Sequence, residues 1–186
     1  MLTVIFGVSC VGKSTIIEQL LEHGCYPVRV YTTRALRNGE KLKIHVSDER
    51  FEQYVTQQKF VWVNQFFNTK YGTSNEDISK ALSSDDVYLL DYALSRESDF
   101  EGMNCLKIIL LPENLDALVM QIESSNRNER LDEILNEYNA YYNQEALYKY
   151  LDQNFKIVIN LHSKPQYAIT QIIQHIKKEA NHGSIK

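Results

Sequence analysis

Residues 7–15, Gly7-Val8-Ser9-Cys10-Val11-Gly12-Lys13-Ser14-Thr15, place two glycines, a lysine and two hydroxyls at the spacing G-x-x-x-x-G-K-[ST]. Each residue type answers a need of phosphate chemistry. Gly7 and Gly12 let the chain curl so that successive backbone N–H groups, those of Ser9, Cys10 and Val11 among them, point at phosphate oxygens. The helix that follows adds its positive N-terminal end. Lys13 is placed to reach the β- and γ-phosphates, and the Ser14 hydroxyl, with Thr15 beside it, is suited to hold Mg²⁺. A glycine turn followed by a chance lysine is the alternative. Against it stands the order of elements, because residues 2–6 (LTVIF) form an apolar, β-branched strand and residues 14–22 a helix. The stretch therefore implies binding of a nucleoside triphosphate. Cys10 reads either as a modifiable thiol or as a small loop residue whose N–H matters.

A second group follows in residues 32–40, TTRALRNGE, where Arg34 and Arg37 flank an Asn-Gly turn that leads to Glu40. Two guanidiniums three residues apart fit an anion clamp for a second substrate, and a solvated loop is the alternative. Arg127 and Arg130, in the polar segment 124–130 (SSNRNER), could close over a transferred phosphoryl group or simply sit on a wet loop. Asp91 ends an apolar strand at residues 86–91, at the edge where ligands bind in parallel sheets.

The elements that must hold these groups alternate strand and helix. Strands are expected at residues 2–6, 27–31, 60–67, 86–91, 105–111 and 156–161. Helices are expected at 14–22, from a Ser47 N-cap through Val55, at 75–82, 115–123, 131–151 and 165–178. Residues 68–70 read as a turn, and a β-rich stretch lies between about 33 and 75. That pattern predicts one α/β domain built on a parallel sheet and carrying an insert and a lid.

With 186 residues the chain can bury a full core, and 44% hydrophobic with 24% charged residues is ordinary for a globular protein. A net charge of −4 without a basic tract argues against nucleic acid as a partner. No apolar run approaches a membrane span, and the first residues already form a core strand, so neither a membrane partner nor a leader is expected. Three scattered cysteines lack metal-ligand spacing and suit a reducing, cytoplasmic setting.

Together these pieces resemble the guanylate kinase family. GVSCVGKST matches its phosphate loop, and YTTRALRNGE its S-T-T-R-x-x-R-x-G-E segment, where two arginines grip the acceptor's phosphate. Tyr71-Gly72-Thr73 is similar to its Y-Y-G-[ST], whose tyrosine and hydroxyl touch the same phosphate. The segment around Arg127 falls at its lid, and VIN with Asn160 precedes the last helix. The resemblance implies a three-layer P-loop fold, with a five-stranded parallel sheet flanked by helices, a small β-rich acceptor-binding insert and a lid. It implies a core of residues 1–32 and 84–180, an insert of about 33–83 and a lid of about 124–131. The implied reaction transfers the γ-phosphoryl of ATP·Mg²⁺ to a phosphate-bearing small-molecule acceptor. Lys13, Arg34, Arg127 and Arg130 would then be catalytic, and Arg34, Arg37, Glu40, Tyr71, Thr73 and Asp91 would serve the acceptor, with Glu40 orienting an arginine or a metal-bound water.

The positions that read guanine in that family have changed. Its glutamate falls at Trp62, its serine at Val30 and its second strand-end aspartate at Ala93, leaving only Asn64 or Gln65 as polar substitutes nearby. Trp62 is either a stacking surface for the acceptor or a core aromatic among Phe60, Phe66 and Phe67. The expected acceptor is a nucleoside monophosphate, with guanine in doubt. A sugar phosphate, as in ribose 1,5-bisphosphate phosphokinases, is the alternative, as is a non-catalytic nucleotide sensor or a scaffold that binds a protein in the acceptor cleft. An intact phosphate loop weighs against the scaffold.

Overall fold

The computed structural model describes residues 1–66, 68–125, 127, 130–161 and 163–183. Five parallel strands form the main sheet. They are β1 (Leu2–Phe6), β2 (Tyr26–Pro27), β7 (Tyr88–Tyr92), β8 (Leu106–Pro112) and β9 (Lys156–Asn160), in the order β2-β7-β1-β8-β9. β1 lies at the centre with all five residues buried, which is why its sequence is apolar without alternation. Helices α1 (Lys13–Leu21), α4 (Leu115–Ser124) and α7 (Pro165–Gly183) are interleaved with these strands, and Ile16, Ile17 and Leu20 form the buried stripe of α1.

A second sheet of mixed direction holds β3 (Val30–Thr32), β4 (Lys43–His45), β5 (Phe60–Phe66) and β6 (Thr69–Ser74), ordered β4-β3-β6-β5. Helix α2 (Asp48–Thr56) connects β4 to β5, and α3 (Asn75–Ser83) follows β6. α2 starts where expected, with the Ser47 hydroxyl accepting the Arg50 N–H at 3.2 Å. Phe67, the expected end of β5, lies outside the described residues, as do Asn126, Asn128 and Glu129 of the expected lid.

Three expectations are corrected. The strand expected at residues 27–31 is two strands in different sheets, because Arg29 leaves the ladder between them. Its backbone N–H and its Nε both donate to Asp77 Oδ2, at 2.8 and 2.7 Å. The helix expected over 131–151 is broken into α5 (Leu131–Tyr141) and α6 (Gln144–Asp152), with Asn143 capping α6 through the Ala146 N–H at 2.9 Å. The turn expected at 68–70 is already β6 from Thr69 onward. Short 3₁₀ turns over Leu94–Phe100, kinked at Arg96, follow β7.

Asp77 is nearly buried and takes a bidentate grip from Arg29, whose Nη2 lies 2.7 Å from Oδ1. Burial works to raise the Asp77 carboxyl, but the Arg29 hydrogen bonds and the Ser74 hydroxyl outweigh it and leave it lowered. We expect Asp77→Ala to cost about 2–3 kcal/mol in urea titration, at the lower end for a buried pair because Arg29 is partly exposed. The folded carboxyl lies below its unfolded value of about 3.9, so its contribution is complete above that pH and fades as the pH falls through the folded value. The wild-type advantage over Asp77→Ala should therefore shrink in acid.

Candidate active site

All the strand ends that matter open on one side. β1 delivers the loop 7–12, β7 delivers Asp91 and β9 delivers Asn160, at the carboxyl edge of the sheet where α/β proteins bind ligands. The loop is shaped by close approach. Gly12 has φ +94°, and a Cβ there would meet Asn160 Nδ2 at 2.6 Å; a Cβ on Gly7 would meet the Leu110 carbonyl at 2.9 Å. Asn160 Nδ2 in turn donates to the Val11 carbonyl at 2.9 Å. Val11 itself is buried, and its N–H donates to the Val8 carbonyl at 3.4 Å.

Tyr142, freed by the break between α5 and α6, reaches under this loop. Its hydroxyl accepts the Val8 N–H at 2.7 Å and donates to the Leu110 carbonyl at 3.4 Å. Lys13 Nζ donates to the carbonyls of Gly7 and Val8 at 2.6 and 2.9 Å and lies 3.7 Å from Asp91. Ser14 Oγ donates to Asp91 Oδ2 at 3.4 Å. Burial pushes the Asp91 carboxyl up, but Lys13 and Lys43 outweigh that and hold it lowered, hence ionised. A hydroxyl beside a carboxylate at the mouth of a phosphate loop is a hard-oxygen set that fits Mg²⁺, which takes its remaining ligands from phosphates and water.

The second group faces this loop. Arg34 Nη1 donates to Glu40 Oε2 at 2.8 Å while Nη2 pairs with Oε1, and the Arg37 backbone N–H donates to Oε2 at 3.1 Å. Glu40 thus orients Arg34. Burial would raise the Glu40 carboxyl, yet Arg34, the Arg37 N–H and Lys43 bring it down to about 2. Arg34 Nε is buried without a hydrogen-bond partner among the described residues, an orphan donor in a site otherwise well paired. Arg37 is lowered from its ordinary value, first by burial and then by repulsion from Arg127 and Arg34. Guanidiniums gathered closely enough to repel one another call for an anion between them.

The halves are joined by ions. Glu40 lies 3.5 Å from Lys43 Nζ, which lies 3.7 Å from Asp91, which lies 3.7 Å from Lys13. Between them is a cleft of about 520 Å³. Of the loop, Gly7, Ser9, Cys10, Gly12, Lys13, Ser14 and Thr15 line it; across from them stand Arg34, Arg37, Tyr71, Thr73 and Asp91. Arg127 and Arg130 line it as well. Arg127 Nη1 donates to Cys10 Sγ at 3.2 Å, whereas Arg130 is held by Glu133 through Nε and Nη2 at 3.0 and 2.8 Å.

Trp62 is set behind the cleft. It packs on Phe100 and Tyr92 with ring centroids 4.5 and 5.8 Å away, the position of a core aromatic, and Asn64 lines the cleft in its stead. Val30 and Ala93 do line it. The residue list drawn from sequence omitted Lys43, Tyr142, Glu133 and Glu137. Glu137 Oε2 accepts the Ser9 N–H at 3.4 Å, and burial raises its carboxyl against the pull of Lys13. The spacing of Arg130, Glu133 and Glu137, at i, i+3 and i+7, was the signal that could have placed them on one face of α5.

The family model for guanylate kinase matches residues 1–179. The guanylate kinase of Buchnera aphidicola from Schizaphis graminum is 30% identical over 174 residues, spanning 86% of this chain and 83% of the relative. That of Legionella pneumophila is 28% identical over 181 residues, spanning 91% and 85%. The crystal structure of guanylate kinase from Anaplasma phagocytophilum shares the fold, with a TM-score of 0.71 at 17% identity over 96% of this chain and 86% of that one. With residues of the loop 7–15 facing Arg34 and Arg37 across one cleft, and a family match over residues 1–179, this chain belongs to the guanylate kinase family.

Proposed function

We propose that the enzyme transfers the γ-phosphoryl group of ATP, as its magnesium complex, to a nucleoside monophosphate that it does not hold through the family's guanine contacts. The observation that carries this reading is that the loop with Lys13 and the pair Arg34 and Arg37 face one cleft and are joined by the Arg34–Glu40–Lys43–Asp91–Lys13 chain of ion pairs. Phosphoryl transfer asks the protein for alignment and charge neutralisation rather than covalent chemistry. Lys13 and the loop N–H groups hold the donor phosphates. Arg34 and Arg37, with Tyr71, hold the acceptor phosphate and aim its oxygen along the cleft. Arg127 and Arg130 neutralise charge on the group in transit. Ser14 and Asp91 would hold magnesium, which would supply Lewis-acid neutralisation of the donor phosphates.

Val30 and Ala93 on the cleft wall support a base other than guanine, and they also favour a second reading in which the acceptor is a sugar phosphate. The formal charge of −4 gives no footing for nucleic acid. Among the described residues no helix is long and apolar enough to cross a membrane, and Cys10, Cys25 and Cys105 are unbridged, which fits cytoplasmic residence. ADP release from ATP·Mg²⁺, with GMP, dGMP, AMP, UMP, CMP, dTMP and ribose phosphates offered singly, tests the reading. Release above background with a nucleoside monophosphate is expected. Release only with a ribose phosphate would establish the second reading, and ATP binding without release would point to a sensor or scaffold.

A further inference from the structure

Four side chains fix the polarity of the acceptor wall. Arg96 donates to Asp99 from Nε at 3.2 Å and from Nη2 at 2.9 Å. Asp99 Oδ2 accepts the Tyr92 hydroxyl at 2.7 Å, and the Tyr92 oxygen lies 2.7 Å from Asn64 Nδ2. A hydroxyl has one proton and a carboxylate can only accept, so the Tyr92 proton is committed to Asp99. Burial and the Asp99 hydrogen bond push the Tyr92 phenol well above its ordinary value, so it keeps that proton. Whatever meets the Tyr92 oxygen must donate, which forces the amide N–H side of Asn64 towards it. The Asn64 carbonyl is then the end left over, and no described residue hydrogen-bonds to it.

Asn64 and Tyr92 both line the cleft. Asn64 pairs across the ladder with Tyr71, and Trp62 with Thr73, so the amide stands one cross-strand neighbour from the phosphate clamp, on the same sheet face. Of the other residues lining the cleft, Val30 and Ala93 offer no hydrogen bond from their side chains, while Thr73 and Ser95 present hydroxyls.

Resting on the kinase reading above, we infer that the Asn64 carbonyl is the base-reading group of this enzyme, and that its acceptor is a nucleoside monophosphate whose base presents one N–H donor between non-donors. Adenine, cytosine, thymine and uracil present such an edge. Guanine presents two adjacent donors, N1–H and the N2 amino group, and a single neutral acceptor leaves one of them unpaired on binding. Asn64 contacts the acceptor and decides its identity; Tyr92 and Asp99 are positioning residues that act through it.

The test compares wild type, Asn64→Ala, Asn64→Asp and Tyr92→Phe by two readouts. One is kcat/KM for ADP release with GMP and with each single-donor monophosphate. The other is equilibrium binding of the same acceptors, followed through the fluorescence of Trp62, the sole tryptophan, 5.8 Å from the Tyr92 ring. Wild type is expected to prefer a single-donor acceptor over GMP. Asn64→Ala should shrink that ratio about tenfold, Asn64→Asp should move it towards GMP, and Tyr92→Phe, which keeps the ring in place, should blur it by releasing the amide. Wild-type preference for GMP or for a ribose phosphate would overturn the inference. So would an unchanged ratio in Asn64 variants that still bind ATP. Base-dependent binding that Asn64 variants abolish, without ADP release by wild type, would overturn the kinase reading and leave the Asn64 assignment supported.

Discussion

Replacing Lys13 by alanine is expected to lower phosphoryl transfer by about 10²–10³-fold, the loss that follows removal of one preorganised positive donor from a site of developing charge. The fold should survive. Among the described residues Lys13 Nζ bonds to carbonyls of its own loop and to Asp91, and the core beneath is carried by Val4, Ile5, Phe6, Ile16 and Leu20. A steady-state assay beside a urea titration checks both halves. Turnover near wild type would remove the loop from the donor site. A large drop in the urea midpoint would show that Lys13 holds the loop rather than the phosphates.

Arg34→Ala is expected to lower kcat/KM for the acceptor by about 10²-fold, through both constants, while the KM for ATP stays near wild type. Its guanidinium lines the cleft and is held by Glu40 through both Nη1 and Nη2, so the side chain is preorganised for an acceptor oxygen. The same substitution strands Glu40 with Lys43 and the Arg37 N–H as its remaining partners, which adds a modest stability loss. Glu40 sits at about 2, below its unfolded value of about 4.3, so the stabilisation it gives is complete at neutral pH and is lost only as the pH falls towards 2. If the KM for ATP rose instead, Arg34 would belong to the donor half.

The two groups proposed to grip phosphate stood out in the sequence because the chemistry they suggest is local. Gly7 to Thr15 and Arg34 to Glu40 each carry residue types whose spacing along the chain is their spacing in space. The main sheet was legible for a related reason: β1 is buried throughout, and β7, β8 and β9 each carry a short apolar run. What escaped depends on distant partners. Residues 27–31 look like one strand, and only the Asp77 carboxylate, 48 residues on, divides them. Helical periodicity runs through Tyr142, and the break there serves the Val8 N–H, 134 residues away. Trp62 could not be separated from Asn64 by alternation, since both lie on one face of β5; packing against Phe100 decides which of them meets the cleft. The donor–acceptor order along Arg96, Asp99, Tyr92 and Asn64 has no trace in spacing at all.

The central claim is that one cleft holds both phosphate sites and that the phosphoryl group crosses it directly. Its sharpest test is to follow isotopically labelled γ-phosphate from ATP by phosphorus NMR in the presence of magnesium and each nucleoside monophosphate. The account predicts that the label arrives as the β-phosphate of a nucleoside diphosphate, with a single-donor base favoured over guanine. Label that stays in ATP, or appears only as inorganic phosphate, with every monophosphate offered would contradict it.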